Sequence, residues 1–323
     1  MPVIPLRLQD VPPESIRGGV VAVGNFDGVH RGHAALIAAA TELAGPSRPV
    51  VAVTFDPHPL VLLAPERFQP PLTTVAERAR LLQAVGADRV GVLRTTPDLL
   101  GLSPEMFFDR IIRGALAARG MVEGFNFRFG RDRAGSNDTL RTLCRQADIA
   151  FREVAPFTLG GRPVSSSRVR DALLAGDLGE AAELLGRPYR VSGIVGTGAR
   201  RGRTIGFPTA NLDRIETLLP GNGVYAVRVQ APAGRFAGAA HVGPNATFGE
   251  DARQVEVHLL DFAGDLYGQT LAVDFIARIR GTERFATVDA LVAQMTKDVA
   301  EVRRLVGEKS AHLFPPPRFG EGG

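Results

Sequence analysis

Two histidines three residues apart, where a strand gives way to a helix, carry the chemistry of the first half of this chain. Val20 to Val23 is a short apolar run. Gly24-Asn25-Phe26-Asp27-Gly28-Val29-His30-Arg31-Gly32-His33 follows, and an alanine-rich stretch from Ala34 to Ala40 comes next. A helix that starts directly after a strand and a tight loop offers free backbone N–H groups and the positive end of its dipole to an anion. The imidazoles add donors at that point, and the small Gly32 lets a phosphate approach the backbone. Such an arrangement suits the stabilisation of a pentavalent α-phosphate while pyrophosphate leaves, which is nucleotidyl transfer. Two plainer readings stay open for the segment alone. His-x-x-His is also half of a metal site, although no cysteine and no third histidine lies nearby to complete a zinc centre. A glycine-rich turn with two exposed histidines fits the bare pattern equally well. The position after a buried-type strand tilts the reading toward phosphate.

A second stretch, Gly196-Thr197-Gly198-Ala199-Arg200-Arg201-Gly202-Arg203-Thr204-Ile205-Gly206-Phe207-Pro208-Thr209-Ala210-Asn211, is rich in glycine and could cradle phosphates. It is not a Walker loop, because no Gly-Lys pair occurs anywhere in the chain. The Thr209 hydroxyl and the Asn211 carbonyl are hard oxygen ligands two residues apart, a donor set that suits Mg²⁺. A turn closed by Thr and Asn side chains is the simpler alternative, and the segment by itself favours it. In Val255-Glu256-Val257-His258-Leu259, Glu256 falls on the polar side of an alternating strand. The commoner fate of such a residue is a solvated outer face.

These residues need a scaffold, and the pattern of the chain supplies two. In the first half, strand-like segments (Val50–Phe55, Arg89–Leu93, Met121–Glu123, Ile149–Val154) alternate with helical ones. Thr74 and Glu77 form a capping box for a helix through Val85. Ser103-Pro104 and Ser136-Asn137 open two more helices. Alternation of this kind predicts a Rossmann-like parallel α/β sheet with ligands beyond the strand C-terminal ends. There the Gly24–His33 and Phe55–Pro59 loops can meet over one pocket. Asp177 with Glu180 caps a helix ending near Leu185, and Gly186-Arg187-Pro188 punctuates the chain. Beyond it, Tyr189–Val195, Val224–Val229, Ala237–Val242, Val255–Leu260 and Leu271–Ile276 read as strands with turns between them, which predicts a small antiparallel barrel. One long helix capped by Thr287 follows. Its stripe of Val288, Leu291, Val292, Met295, Val299, Val302 and Leu305 is expected to lie on the barrel. The expected domains are therefore 1–186 and 187–323, with an unstructured Pro/Gly tail from about residue 314.

Bulk properties narrow the class. The chain has 323 residues, 45% of them hydrophobic, enough for two cores. The calculated pI is about 9.8, but the net charge is only +4, and of the basic residues only Lys297 and Lys309 are lysine. Arginine stays protonated past pH 12 and holds the pI high without a strong field. With no basic block and no tryptophan, a nucleic-acid partner is not expected. No apolar run reaches the roughly 18 residues of a membrane span, so no membrane partner is expected, and the N-terminus lacks the regions of a signal peptide. Cys144 is the one cysteine, which excludes an intrachain disulfide and fits a reducing cytoplasm.

Across almost its whole length the chain resembles the bacterial bifunctional riboflavin kinase/FMN adenylyltransferase family, also called FAD synthetase. The resemblance rests on Gly24–His33, Thr54–Pro59, Gly124–Gly130, Val164–Arg170, Gly206–Asn211, Gly223–Tyr225, Gly243–Gly249 and Val255–Gly268. It implies an N-terminal nucleotidyltransferase domain that makes FAD and a C-terminal β-barrel kinase domain that makes FMN. Riboflavin, FMN and ATP would be the substrates, with Mg²⁺ at both sites. Small-molecule partners, a monomer or transient oligomer, and direct in-line transfer without a covalent intermediate complete the expectation. The resemblance further implies that His30 and His33 contact ATP phosphates, and that Gly24, Phe26 and Asn126 line the adenylyl pocket. Ser165, Ser166 and Arg170 match a nucleotidyltransferase signature in which the arginine holds outgoing pyrophosphate by charge-assisted hydrogen bonds. Thr209 and Asn211 would bind Mg²⁺ and ATP in the kinase, Gly206 would take part in binding the nucleotide, and Glu256 would be the general base for the riboflavin 5′-hydroxyl. Val164, Ser167 and Ala246 depart from the family pattern without removing a group the chemistry needs. Two rival readings are an adenylyltransferase for another phosphorylated acceptor and an arginine-rich nucleic-acid-binding protein.

Overall fold

The computed structural model describes residues 3–197, 205–245 and 250–310. The chain divides into two compact units, one of residues 1–69 and 73–165 and one of residues 70–72 and 166–323. The pattern of the chain places the change at 186/187. The difference comes from helices α7 (Ser166–Ala175) and α8 (Leu178–Leu185), which pack on each other and, through α8, on the strands of the second unit. Leu178, Ala181, Leu184 and Leu185 are the apolar face that does so.

In the first unit, β1 (Ile4–Leu6), β2 (Val20–Val23), β3 (Val50–Asp56), β4 (Arg89–Arg94), β5 (Gly120–Gly124) and β6 (Ala150–Val154) form one sheet in the order β1-β4-β3-β2-β5-β6. Every neighbouring pair is parallel. The strand order reverses between β2 and β5, so the crevice for a ligand opens at their C-terminal ends. The edge strand β1 was not foreseen, because a three-residue strand has no readable period. Helices α1 (Arg31–Ala44), α2 (Leu60–Leu63), α3 (Val75–Ala84), α4 (Pro97–Leu100), α5 (Pro104–Phe107) and α6 (Asn137–Gln146) connect the strands. A π-helix, Phe108–Ala115, continues α5. The predicted caps of α3, α5 and α6 are in place: Thr74, Ser103 and Ser136 accept from the backbone N–H groups of Glu77, Met106 and Thr139. A small hairpin, β7 (Thr158–Leu159) with β8 (Arg162–Pro163), precedes α7. Both faces of the central strands are buried, which is why β2 and β3 read as continuous apolar runs rather than alternating ones.

The second unit is a closed antiparallel barrel of β9 (Tyr189–Gly196), β10 (Ala210–Asp213), β11 (Gly223–Ala231), β12 (Gly234–Asn245), β13 (Glu250–Leu259) and β14 (Thr270–Arg280), in the order β10-β13-β12-β11-β14-β9. Five of these strands were foreseen. The sixth, β10, begins in the last two residues of the Gly196–Asn211 segment and continues to Asp213. Tyr225 and Phe275 meet edge to face in the core, with ring centroids 5.3 Å apart. Helix α9 (Val288–Ser310) lies against the outer face, where Ala226, Ala237 and Ala239 are small enough to let Val299, Val302, Leu305 and Val306 approach. The buried stripe is shorter than the sequence period suggests: Val288 is 49% exposed. Asp298 occupies the inward face instead and grips the Arg280 guanidinium, with the closest contact at 2.8 Å. The expected tail from residue 314, and the Ala246 departure, lie outside the described residues.

Candidate active sites

In the first unit the loop after β2 is built under strain. Phe26 and Val29 both adopt left-handed backbone, at φ 46° and 40°, and Gly28 lies at 81°. For a β-branched valine this is an outlier that surrounding contacts must hold in place. They do so from three neighbouring segments. The Thr54 hydroxyl donates to Asn25 O at 3.0 Å, and Gly28 N donates to the Thr73 hydroxyl at 3.2 Å. The Asp27 carboxylate, buried, accepts from Thr73 N at 3.2 Å and faces the Arg78 guanidinium at 3.6 Å. Arg78, itself only 4% exposed, also donates to Thr54 Oγ1 and to Thr73 O. Asp27, Thr73 and Arg78 were not singled out from the sequence. The available signal was the register of parallel strands, which sets Thr54 on β3 beside the end of β2.

This latch delivers the two histidines. His30 is the N-cap of α1, and its Nδ1 accepts the His33 backbone N–H at 3.3 Å. That bond assigns the proton to Nε2 and leaves Nε2–H as a donor. The two rings stack at a centroid distance of 3.6 Å and 13° between planes, while Phe26 meets His33 edge-on at 5.2 Å. Gly24 caps the end of β2 with its N–H bonded to Val53 O, and Phe26 is fully buried beneath the histidines. Gly32 packs closely here: a Cβ would lie 3.1 Å from the His30 ring, tighter than usual contact, and 3.6 Å from Val164 O. Val164 therefore brings Ser165, the last residue of this unit, to the start of α1. Asn126 is exposed, in the turn just past β5. Gly24, Phe26, His30, His33 and Ser165 thus come together, with Asn126 on the same end of the sheet. Ser166 and Arg170 belong to the second unit, on the first turns of α7, where Arg170 donates to Pro70 O at 3.1 Å.

In the barrel, Asn211 on β10 lies directly opposite Glu256 on β13, and Glu256 lies directly opposite His241 on β12. Val255, Val257 and Leu259 point to the core, so Glu256 and His258 share the outer face. His258 pins the approach to β10: its Nδ1 lies 2.8 Å from Pro208 O, and its ring meets Phe207 edge-on at 5.5 Å. Its positioning role was legible only as one letter of a motif. Gly206, at φ 85°, makes the turn that precedes it. Thr209 is two residues from Asn211 in extended chain and so shares its side. Two hard oxygen donors beside a carboxylate form a donor set that fits Mg²⁺.

Comparison with known proteins bears on both units. The FAD synthetase family model matches residues 13–168, and the riboflavin kinase family model matches residues 185–306. The bifunctional riboflavin kinase/FMN adenylyltransferase of Pseudomonas fluorescens is 39% identical over 310 residues, covering 94% of this chain and 98% of the relative. The Escherichia coli K12 protein of the same description is 37% identical over 304 residues, covering 93% and 96%. A crystal structure described as a macrolide-efflux protein from Streptococcus pneumoniae superposes with a TM-score of 0.83 at 34% identity, covering 93% of this chain and 99% of that one. No helix among the described residues is long and apolar enough to cross a membrane.

Proposed function

Since this chain belongs to the bifunctional riboflavin kinase/FMN adenylyltransferase family, we propose that FAD is formed around His30 and His33, and FMN around Glu256. As riboflavin kinase and FMN adenylyltransferase, the protein uses riboflavin, FMN and ATP. The observation that carries the first assignment is the stacked histidine pair at the start of α1. In adenylyl transfer an FMN phosphate oxygen attacks the α-phosphorus of ATP and pyrophosphate leaves. Negative charge grows on the non-bridging oxygens in the transition state, where the His30 Nε2–H, the His33 ring and the α1 backbone N–H groups can donate. Gly24 and Phe26 shape the floor of the pocket, and Asn126 its rim. The family resemblance assigns Ser165, Ser166 and Arg170 to the outgoing pyrophosphate, which the arginine would hold by charge-assisted hydrogen bonds.

In the kinase, Glu256 accepts the proton of the riboflavin 5′-hydroxyl as its oxygen attacks the γ-phosphorus of a second ATP, the bond from that phosphorus to the bridging oxygen breaks, and ADP leaves. Thr209 and Asn211 would hold Mg²⁺, which neutralises phosphate charge when bound. Gly206 leads the chain into that site. Both transfers are read as direct in-line displacements without a covalent intermediate. The functional boundary is drawn at 186/187. Even charge along the chain fits an enzyme of small molecules rather than of nucleic acid, and a single cysteine fits a reducing cytoplasm.

Incubation with riboflavin, ATP and Mg²⁺, followed by chromatography of the flavins, tests the reading. Wild type yields FMN and FAD. His33→Ala lowers FAD formation by about two to three orders of magnitude, the scale of a lost transition-state donor, and lets FMN accumulate. Loss of both activities in a folded His33→Ala protein would overturn the two-site assignment.

A further inference from the structure

Glu123 is a carboxylic acid in the middle of the first unit's core. It stands on β5 with 1% exposure, after the buried Met121 and Val122 of its own strand, and its register partner on β6 is Glu153. Burial in such surroundings is costly for any polar group, and a valine would fill the position at no such cost. Desolvation holds its carboxyl well above the ordinary range, against the opposing pull of its hydrogen bond from Val23, and so favours the uncharged acid. What the carboxyl does is visible in the ladder between β2 and β5. The two strands pair at Val20–Gly120 and Val21–Met121, and the pairing stops there. Continued in register, Val23 would face Glu123. In place of a backbone carbonyl, the Glu123 carboxyl Oε1 accepts the Val23 N–H at 2.8 Å. On the other side of β2 the ladder with β3 runs on to Val23, and Gly24 N reaches Val53 O. The end of β2 therefore stays with β3 while a side chain spaces it from β5. The next residue of β5 is held away as well, since Asn137 Nδ2 donates to Gly124 O at 3.0 Å.

We infer that Glu123 is a positioning residue for adenylyl transfer: its carboxyl spaces β2 from β5 at the reversal of strand order and so sets the loop that carries His30 and His33. This rests on the assignment of FAD formation to that loop. The strand end it holds, Val23, is one residue from Gly24 and seven from His30, and the loop between is already strained, so a closed ladder would re-aim both imidazoles. Glutamine preserves the neutral acceptor and the length. Valine removes both and lets the strands zip.

The test is steady-state FMN adenylylation by the full chain, below any unfolding transition, with riboflavin phosphorylation in the same samples as reference. Glu123→Val should lower kcat by about 100-fold, the scale of a misplacement near 1 Å, with KM for FMN and ATP within a few-fold and kinase turnover unchanged. Glu123→Gln should keep near wild-type kcat. Should Glu123→Val fail to fold, Glu123→Asp, one methylene too short to reach Val23, gives the same comparison. Wild-type kcat in the valine or aspartate variant, or a glutamine variant as impaired as valine, would overturn the inference. His33→Ala is assayed alongside. If it retains FAD formation, the site assignment itself is wrong; if it loses FAD formation while Glu123→Val does not, only the role of Glu123 is.

Discussion

Removal of the Arg78 guanidinium should disable the first site without touching the second. Arg78 and Asp27 have side chains 4% and 5% exposed and stand 3.6 Å apart. Arg78→Ala leaves a buried carboxylate without its cation, at a cost of about 3–5 kcal/mol. It also removes donors from Thr54 Oγ1 and Thr73 O. Set against a domain stability of about 5–15 kcal/mol, this spends much of the margin of the first unit. It also frees a loop in which Phe26 and Val29 are held at positive φ, each such residue storing about 1–3 kcal/mol of strain that the latch no longer restrains. Relaxation of that loop moves the His30 N-cap. The expected result is an earlier urea transition for the first unit and FAD formation reduced by at least about 100-fold, with FMN formation intact. A double-mutant cycle with Asp27→Asn separates the pair from its surroundings. The double variant should be less destabilised than Arg78→Ala alone, because no charge is then stranded. An unchanged unfolding curve with wild-type FAD formation in Arg78→Ala would refute the reasoning.

Further predictions follow from the same contacts. Gly32→Ala would set a Cβ 3.1 Å from the His30 ring, and the small shift this forces on the ring should lower FAD formation with FMN formation unchanged, read by flavin chromatography. Glu256→Gln should cut riboflavin phosphorylation by about 10²–10⁴-fold while FAD synthesis from supplied FMN continues. Burial and the nearby Glu123 push the Cys144 thiol up to about 12, so a thiol reagent at pH 8 should leave it unmodified until urea unfolds the first unit. Because the Glu123 carboxyl is raised above its ordinary value of 4.5, the folded state binds more protons than the unfolded one above that pH. Its contribution to stability therefore falls as pH rises from about 4.5 toward the folded value. Glu123→Gln, which has no proton to lose, should be less sensitive to pH in that window by equilibrium denaturation. Finally, a fragment starting at Ser166 should outlast one starting at Arg187 in thermal melts, because only the longer one keeps the α8 face of Leu178, Ala181, Leu184 and Leu185.

Much of this protein was settled by local chemistry. The capping residues Thr74, Ser103, Ser136 and Asp177 name their helix starts because a side-chain oxygen three residues upstream satisfies an N–H that nothing else can reach. The period of the apolar residues changes from alternating strand and helix segments to strand alone, and that change separates a parallel sheet from an antiparallel barrel. The histidine pair is legible as phosphate chemistry because a strand, a glycine loop and a helix start are contiguous in the chain. What lies far apart in sequence was decided only in three dimensions. Asp27, Thr73 and Arg78 are unremarkable polar residues until two loops and a helix close on one another, and only then does a carboxylate meet a cation in the core. Glu123 reads as a strand residue of no particular kind, since its meaning depends on where the β2–β5 ladder stops. β10 is hidden at the end of a segment that reads as a turn, because four residues carry too little period and one of its two partner strands, β13 with Glu256, lies about forty residues further along the chain. Periodicity reports which face of an element is buried, whereas the identity of the neighbour across that face is a property of the closed chain.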